Sequence, residues 1–150
     1  MIDADGVFRI EFTVPESAID GNGHVNNVVY IQWMQDVAIQ HADAPGGSEA
    51  ASAIGCAWVA RSHRIDYLSP AFAGDLVEGV TWVVNMHRVR STRRYRFTRK
   101  SDGKVLARGE TEWVFVSASD WKPRGIPESV SKCFKMQGDI EPNGCGTKAG

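Results

Sequence analysis

The sequence predicts an α+β domain in which one antiparallel β-sheet wraps a single long apolar helix. Two observations carry this expectation. Residues from about Asn27 to about Ala42 repeat apolar side chains at helical spacing and leave only a narrow polar stripe. Around that segment lie blocks of alternating apolar and polar residues, one before it and four after it, which read as strands of an antiparallel meander.

The first block, GVFRIEFTV, alternates and stops at Pro15. Residues 20–23 have the composition of a turn. Asn26 or Asn27 can cap the helix, because a short side-chain oxygen accepts from the free N–H groups of its first turn. Within the helix, Tyr30, Trp33, Met34, Val37 and Ala38 form the apolar stripe. Val28, Val29, Ile31 and Ile39 widen it, and Gln32, Gln35, Asp36, Gln40 and Asp43 make the polar one. A helix this apolar needs cover on most of its circumference. DAPGGSEAAS then reads as a loop, or a loop with one helical turn. CAWVARSHRIDYL, stopped by Ser69-Pro70, is the next strand, and LVEGVTWVVNMHRVR follows. TRRYRFTRKSDGKVLARGETEWVFVSA is a hairpin turning at Asp102-Gly103. The pattern breaks after Asp120, so the domain is expected over residues 1–128. A C-terminal extension over 129–150 ends in the aperiodic QGDIEPNGCGTKAG, read as a disordered tail.

A chain of 150 residues suits one domain with a core of its own. No apolar run is long enough for a membrane span, and the acidic start MIDADGVFRI lacks the apolar stretch of a secretory signal. Cys56, Cys133 and Cys145 are an odd count without metal-ligand spacing, which implies a reduced, cytoplasmic protein with neither disulfide nor metal. A net charge of −1 argues against a nucleic-acid partner.

Two constellations could carry chemistry. Asp20, Asn22, His24, Asn26 and Asn27 crowd eight residues at the helix start. They read as a tight turn and a cap. The alternative is a carboxylate, an amide and an imidazole beside a positive helix end, where an oxyanion can be held while the carboxylate serves as base or nucleophile. Arg88, Arg90, Arg93, Arg94, Arg96, Arg99 and Lys100 crowd thirteen residues. They are either a solvated strand surface or a clamp for phosphate groups. Trp33, Trp58, Trp82 and Trp113 are read as packing residues, and His41, His63 and His87 as surface or satisfied core residues.

Asp20, Gly23, His24, Val25, Asn26, Asn27 and Tyr30 together resemble the signature of the hotdog-fold acyl-CoA thioesterases, nearest to the 4-hydroxybenzoyl-CoA thioesterase-like family. IDYLSPAFAGD and TEWVFVSASDWKPRGIP resemble later segments of that family, so the likeness runs over residues 8–128. It implies the hotdog fold and hydrolysis of an acyl-CoA thioester without a cofactor, by a homodimer or homotetramer with sites at the subunit boundary. Asp20 falls on the family's usual catalytic carboxylate. The Asp-x-Asn-x-His spacing is also similar to plant acyl-carrier-protein thioesterases, which adds Asn22 and His24 to the implied catalytic set and, from the following strand, Asp66. Asp66 also has a structural alternative, pairing with Arg64. Asn26, Asn27, Val28 and Tyr30 would bind substrate, with backbone N–H groups near Asn26 to Val28 polarising the carbonyl. Arg88, Arg90 and Arg93 would hold the coenzyme A phosphates. Alternatives are an acyl-carrier-protein thioesterase, a hotdog dehydratase, and a non-catalytic acyl-CoA sensor, which would need no carboxylate at position 20.

Overall fold

A computed structural model of the chain describes residues 2–142. Strand β1 spans Phe8–Thr13, and a short 3₁₀ turn over Glu16–Ala18 leads to the polar turn. Helix α1 runs Asn27–Asp43 and α2 runs Gly47–Ala53. Strands β2 (Cys56–Tyr67), β3 (Leu76–His87), β4 (Arg90–Arg99) and β5 (Val105–Ser117) follow, then a short α3 over Glu128–Ser131. The five strands form one antiparallel sheet in the order β1-β3-β4-β5-β2.

The expected long helix is present, one residue beyond its expected end. Asn26 is the cap: its Oδ1 accepts from the Val28 N–H at 3.0 Å. Tyr30, Met34, Val37, Ala38 and His41 are the face turned to the sheet, following helical spacing. Gly109 of β5 lets the helix approach. A Cβ there would meet the Met34 sulfur at 2.7 Å, closer than packing allows. Burying Met34 in that gap is worth roughly 1.5–3 kcal/mol. The opposite stripe is uncovered, with Val28 and Ile39 exposed beside Gln32, Asp36 and Gln40.

The simple meander needs one correction. β3, β4 and β5 are sequential neighbours, but β2 pairs with β5 and leaves its other edge open, while β1 pairs with β3. Residues 68–75 are no hairpin turn. They carry the chain back across the sheet, a distance that eight residues easily span.

The extension expected beyond residue 128 packs onto the domain as far as it is described. Val130 and Phe134 are buried, and the Phe134 ring meets His41 edge-on at 5.5 Å. The N–H groups of Gln137 and Gly138 donate to Val83 and Val84 carbonyls, and Asp139 and Glu141 pair with arginines on the outer sheet face. Aperiodic sequence here is a strap held by side chains and backbone bonds, which hydrophobic periodicity does not report. Cys145 and the rest of 143–150 lie outside the described residues.

Candidate functional site

The polar turn is a closed hairpin. Ile19 and Val25 bridge, the Asp20 N–H donates to the His24 carbonyl, and the Gly23 N–H donates to the Asp20 carbonyl. Gly23 has φ +83°, a conformation other residues enter at a cost. The Asp20 Oδ1 accepts from the Asn22 N–H at 2.9 Å, an Asx turn that aims the carboxylate. His24 Nδ1 lies 3.2 Å from the Val25 carbonyl. A carbonyl only accepts, so Nδ1 carries a proton and donates to it. The Val25 N–H donates to the Ala71 carbonyl and the Asn26 N–H to the Ala18 carbonyl, which pins the turn between two loops.

At the helix start the expected donors divide. The Val28 N–H is taken by the Asn26 cap and is therefore not free to hold an oxyanion. The Asn27 N–H donates to no group among the described residues and remains available. Asn26 and Asn27 are exposed. Tyr30 is buried, its hydroxyl has no partner among the described residues, and burial raises its pKa to about 12. Tyr67, which sequence reasoning passed over, reaches from the end of β2 and donates its hydroxyl to the Asn27 carbonyl at 2.8 Å.

Tyr67 facing the helix settles the position of Asp66. Successive strand side chains point to opposite faces, so Asp66 lies on the outer face. It stands 3.9 Å from Arg64 in a solvated pair and lines an outer cavity of about 310 Å³ with Arg108 and Glu141. The fold does not bring it to the Asp20 turn.

The arginine cluster is likewise split by alternation. Arg88 sits in the β3–β4 turn, exposed, at φ +57°. Arg90 is on the outer face, 3.0 Å from Glu112. Arg94 pairs with Glu110 and Asp139, Arg96 with Glu141, Arg99 with Asp75 and Asp102, and Lys100 with Glu11. Arg93 points inward with Tyr95 and Phe97, and is buried. Three arginines on three different surfaces form no single clamp.

Burial creates a second polar group under the helix. Arg93 Nη1 lies 2.8 Å from His41 Nδ1 and 3.1 Å from Thr81 Oγ1. Arginine has only donors, so His41 accepts and is neutral. Burial, then the Arg93 charge, push its pKa down to about 3. The Phe8 ring stacks on it at 5.4 Å. Nearby, His63 Nδ1 lies 2.8 Å from Thr111 Oγ1, and burial lowers its pKa. No carboxylate among the described residues pairs with Arg93. A buried charge lacking its counter-ion costs on the order of several kcal/mol.

Arg93 lines a cavity of about 590 Å³ between α1, α2 and the β2 end of the sheet. Its walls are largely apolar, from Ala38, Ala42, Ala51, Trp58 and Trp113. The inward position of Arg93 was readable in principle, since Arg93, Tyr95 and Phe97 are spaced two apart. Among the described residues, no three or more His, Cys, Asp or Glu side chains are grouped to hold a metal, and no helix is long and apolar enough to cross a membrane.

Comparison with solved structures places this architecture. A 1,4-dihydroxy-2-naphthoyl-CoA thioesterase from Synechocystis superposes with TM-score 0.76 at 20% identity, over 85% of this chain and 95% of its own. A hypothetical protein from Staphylococcus aureus in complex with CoA gives 0.81 at 19% identity, over 100% and 97%. An acyl-ACP thioesterase from Bacteroides thetaiotaomicron gives 0.81 at 20% identity, over all of this chain and 59% of that longer one. At such identities the likeness establishes the fold, which is the hotdog fold. No curated protein matches by sequence. The family profile of the thioesterase-like superfamily matches residues 14–134, from the end of β1 through the strap that seats Phe134, and the chain therefore belongs to the thioesterase-like superfamily.

Proposed function

We propose that this protein hydrolyses acyl-CoA thioesters, with Asp20 as general base or nucleophile and no cofactor. The observation that supports it best is the closed turn that aims the Asp20 carboxylate immediately before a capped helix start with one unused N–H, that of Asn27. That N–H would polarise the thioester carbonyl. In the general-base form, water adds to the carbonyl carbon while its proton passes to Asp20. The C–S bond then breaks, and the departing thiolate takes that proton. In the nucleophilic form, Asp20 attacks, coenzyme A leaves, and water opens the mixed anhydride. Asn22 holds the turn, and His24 Nε2 is placed to orient water.

The active unit would be a homodimer joined along β2. That strand has twelve residues and an open edge, which a monomer leaves as a template for pairing. Its Tyr67 end touches the start of α1, and its Cys56 end borders the apolar cavity. Antiparallel self-pairing sets one end against the partner's other end. The Asp20 turn of one protomer, at the start of α1, would then serve the cavity of its partner, which borders the later turns of α1. The exposed Val28, Ile39 and Leu68 would gain cover.

The test is release of free thiol from a panel of acyl-CoA and acyl-carrier-protein thioesters. Turnover that disappears in Asp20→Asn supports the reading. Tight binding of acyl-CoA with no thiol released by the wild type would replace it with a sensor.

A further inference from the structure

The guanidinium of Arg93 stands without an anion inside an apolar cavity. It is 5% exposed, and the groups around it are His41, Thr81, Tyr95 and Thr111, with Trp113 at the wall. His41 and Thr81 both take their bonds from Nη1, so Nη2 and Nε have no partner among the described residues. Neither Nη2 nor Nε is among the fully enclosed atoms left without a partner, so each keeps some accessible surface, and Arg93 lines the cavity. Tyr95 is no counter-ion either, because burial raises its pKa and keeps the phenol neutral. Each other arginine of β4 has a carboxylate within 4 Å. Arg96 is buried as well but keeps Glu141, whereas Arg93 is buried with no carboxylate among the described residues, where a missing anion is most costly.

An apolar cavity that ends in an uncompensated fork of N–H donors fits a ligand with an apolar middle and an anionic end. We propose that the substrates are acyl-CoA thioesters whose acyl chain ends in a second carboxylate, with that carboxylate bound by Arg93. The proposal rests on the thioesterase reading above and names its substrate class. The methylene chain lies against Ala38, Ala42, Ala51 and Trp58, and the carboxylate accepts from the free edge of the guanidinium. His41 is a positioning residue: its Nδ1 occupies Nη1 and turns the other donors to the cavity. Selectivity follows from the empty site. A chain ending in a methyl group leaves the charge unpaired, and a carboxylate of matching length removes that penalty.

The experiment compares adipyl-CoA with hexanoyl-CoA, of equal carbon number, by thiol release on the intact protein, together with thermal shifts for free adipate, hexanoate and coenzyme A. The wild type should favour adipyl-CoA in kcat/KM by about 10- to 100-fold, the span of a charged hydrogen bond. Adipate should raise the melting temperature where hexanoate does not. In Arg93→Met the adipyl preference and the adipate shift should both vanish, and Arg93→Lys should restore part of each. A wild type that prefers hexanoyl-CoA overturns the proposal while leaving thioester hydrolysis intact. If no thioester is cleaved, the hydrolase reading fails, and the adipate shift alone decides whether Arg93 binds a carboxylate. Should the shift for coenzyme A, rather than for adipate, depend on Arg93, the residue is a phosphate contact and the acyl assignment is wrong. If Arg93→Met does not fold, the two wild-type comparisons still decide.

Discussion

The two ends of helix α1 carry two polar groups, and they are built on opposite plans. At its N-terminus, the side chains of Asp20, His24 and Asn26 bond to backbone one or two residues away and, with Asn22, remain open to solvent or half-buried. At its C-terminal half, His41 meets Arg93 across 52 residues of sequence, under aromatic rings and out of water. A local, solvated group can be changed without disturbing the fold, which suits a catalytic carboxylate. A buried long-range group is bound into the core, so it can define the shape and charge of a pocket but must be tested with stability in view.

The sharpest way to break that contrast is Asp20→Asn. It keeps the acceptor for the Asn22 N–H and removes only the charge. Turnover should fall about 10²-fold or more, with the melting midpoint unmoved. An active variant, or an inactive one that melts early, would make the turn structural.

Subunit exchange sharpens it further. Ala57→Trp fills the cavity beside β2 without touching Asp20. Mixed and refolded with Asp20→Asn, two inactive proteins should regain about a quarter of wild-type activity, because half the dimers are mixed and each has one intact site. No recovery, with dimers confirmed by light scattering, would place Asp20 and its cavity in the same protomer.

The buried end should show itself in pH. The folded-state pKa of His41 is depressed to about 3 from 6.5, so the unfolded chain binds an extra proton between those values. Its contribution is complete above about pH 6.5 and is lost as pH falls toward 3, at most about 1.4 kcal/mol per pH unit. Urea midpoints between pH 7 and 4.5 should therefore decline less steeply in His41→Gln than in the wild type. Parallel curves would mean that His41 is not neutral in the fold. The smallest effect is expected at Arg88, the exposed arginine of the cluster. If it meets a coenzyme A phosphate, Arg88→Ala should raise KM by about 5- to 10-fold at low salt and leave kcat unchanged. A KM equal to wild type would remove it from the binding surface.

The chain's own order of residues determined the helix, a cap at Asn26 or Asn27, the Asp20 turn and which segments are strands, because each rests on contacts within a few residues: helical spacing, alternation, side chains bonding to nearby N–H groups. The strand limits were less exact, since LVEGVTWVVNMHRVR read as one strand whereas β3 ends at His87 and β4 begins at Arg90. Pairing was a different matter. That β2 joins β5 and leaves its other edge open depends on where a loop of eight residues lands. Asp66 and Arg93 were assigned by kind of residue, whereas their positions followed from which face of a strand met the helix. That assignment turned on the phase of the alternation, which one residue reverses. The strap over 129–142 carries no periodicity at all and is held by partners far away in sequence. Tertiary structure alone decided that one arginine of seven basic residues would be buried without an anion, since its isolation depends on what every neighbouring element does and does not bring to it.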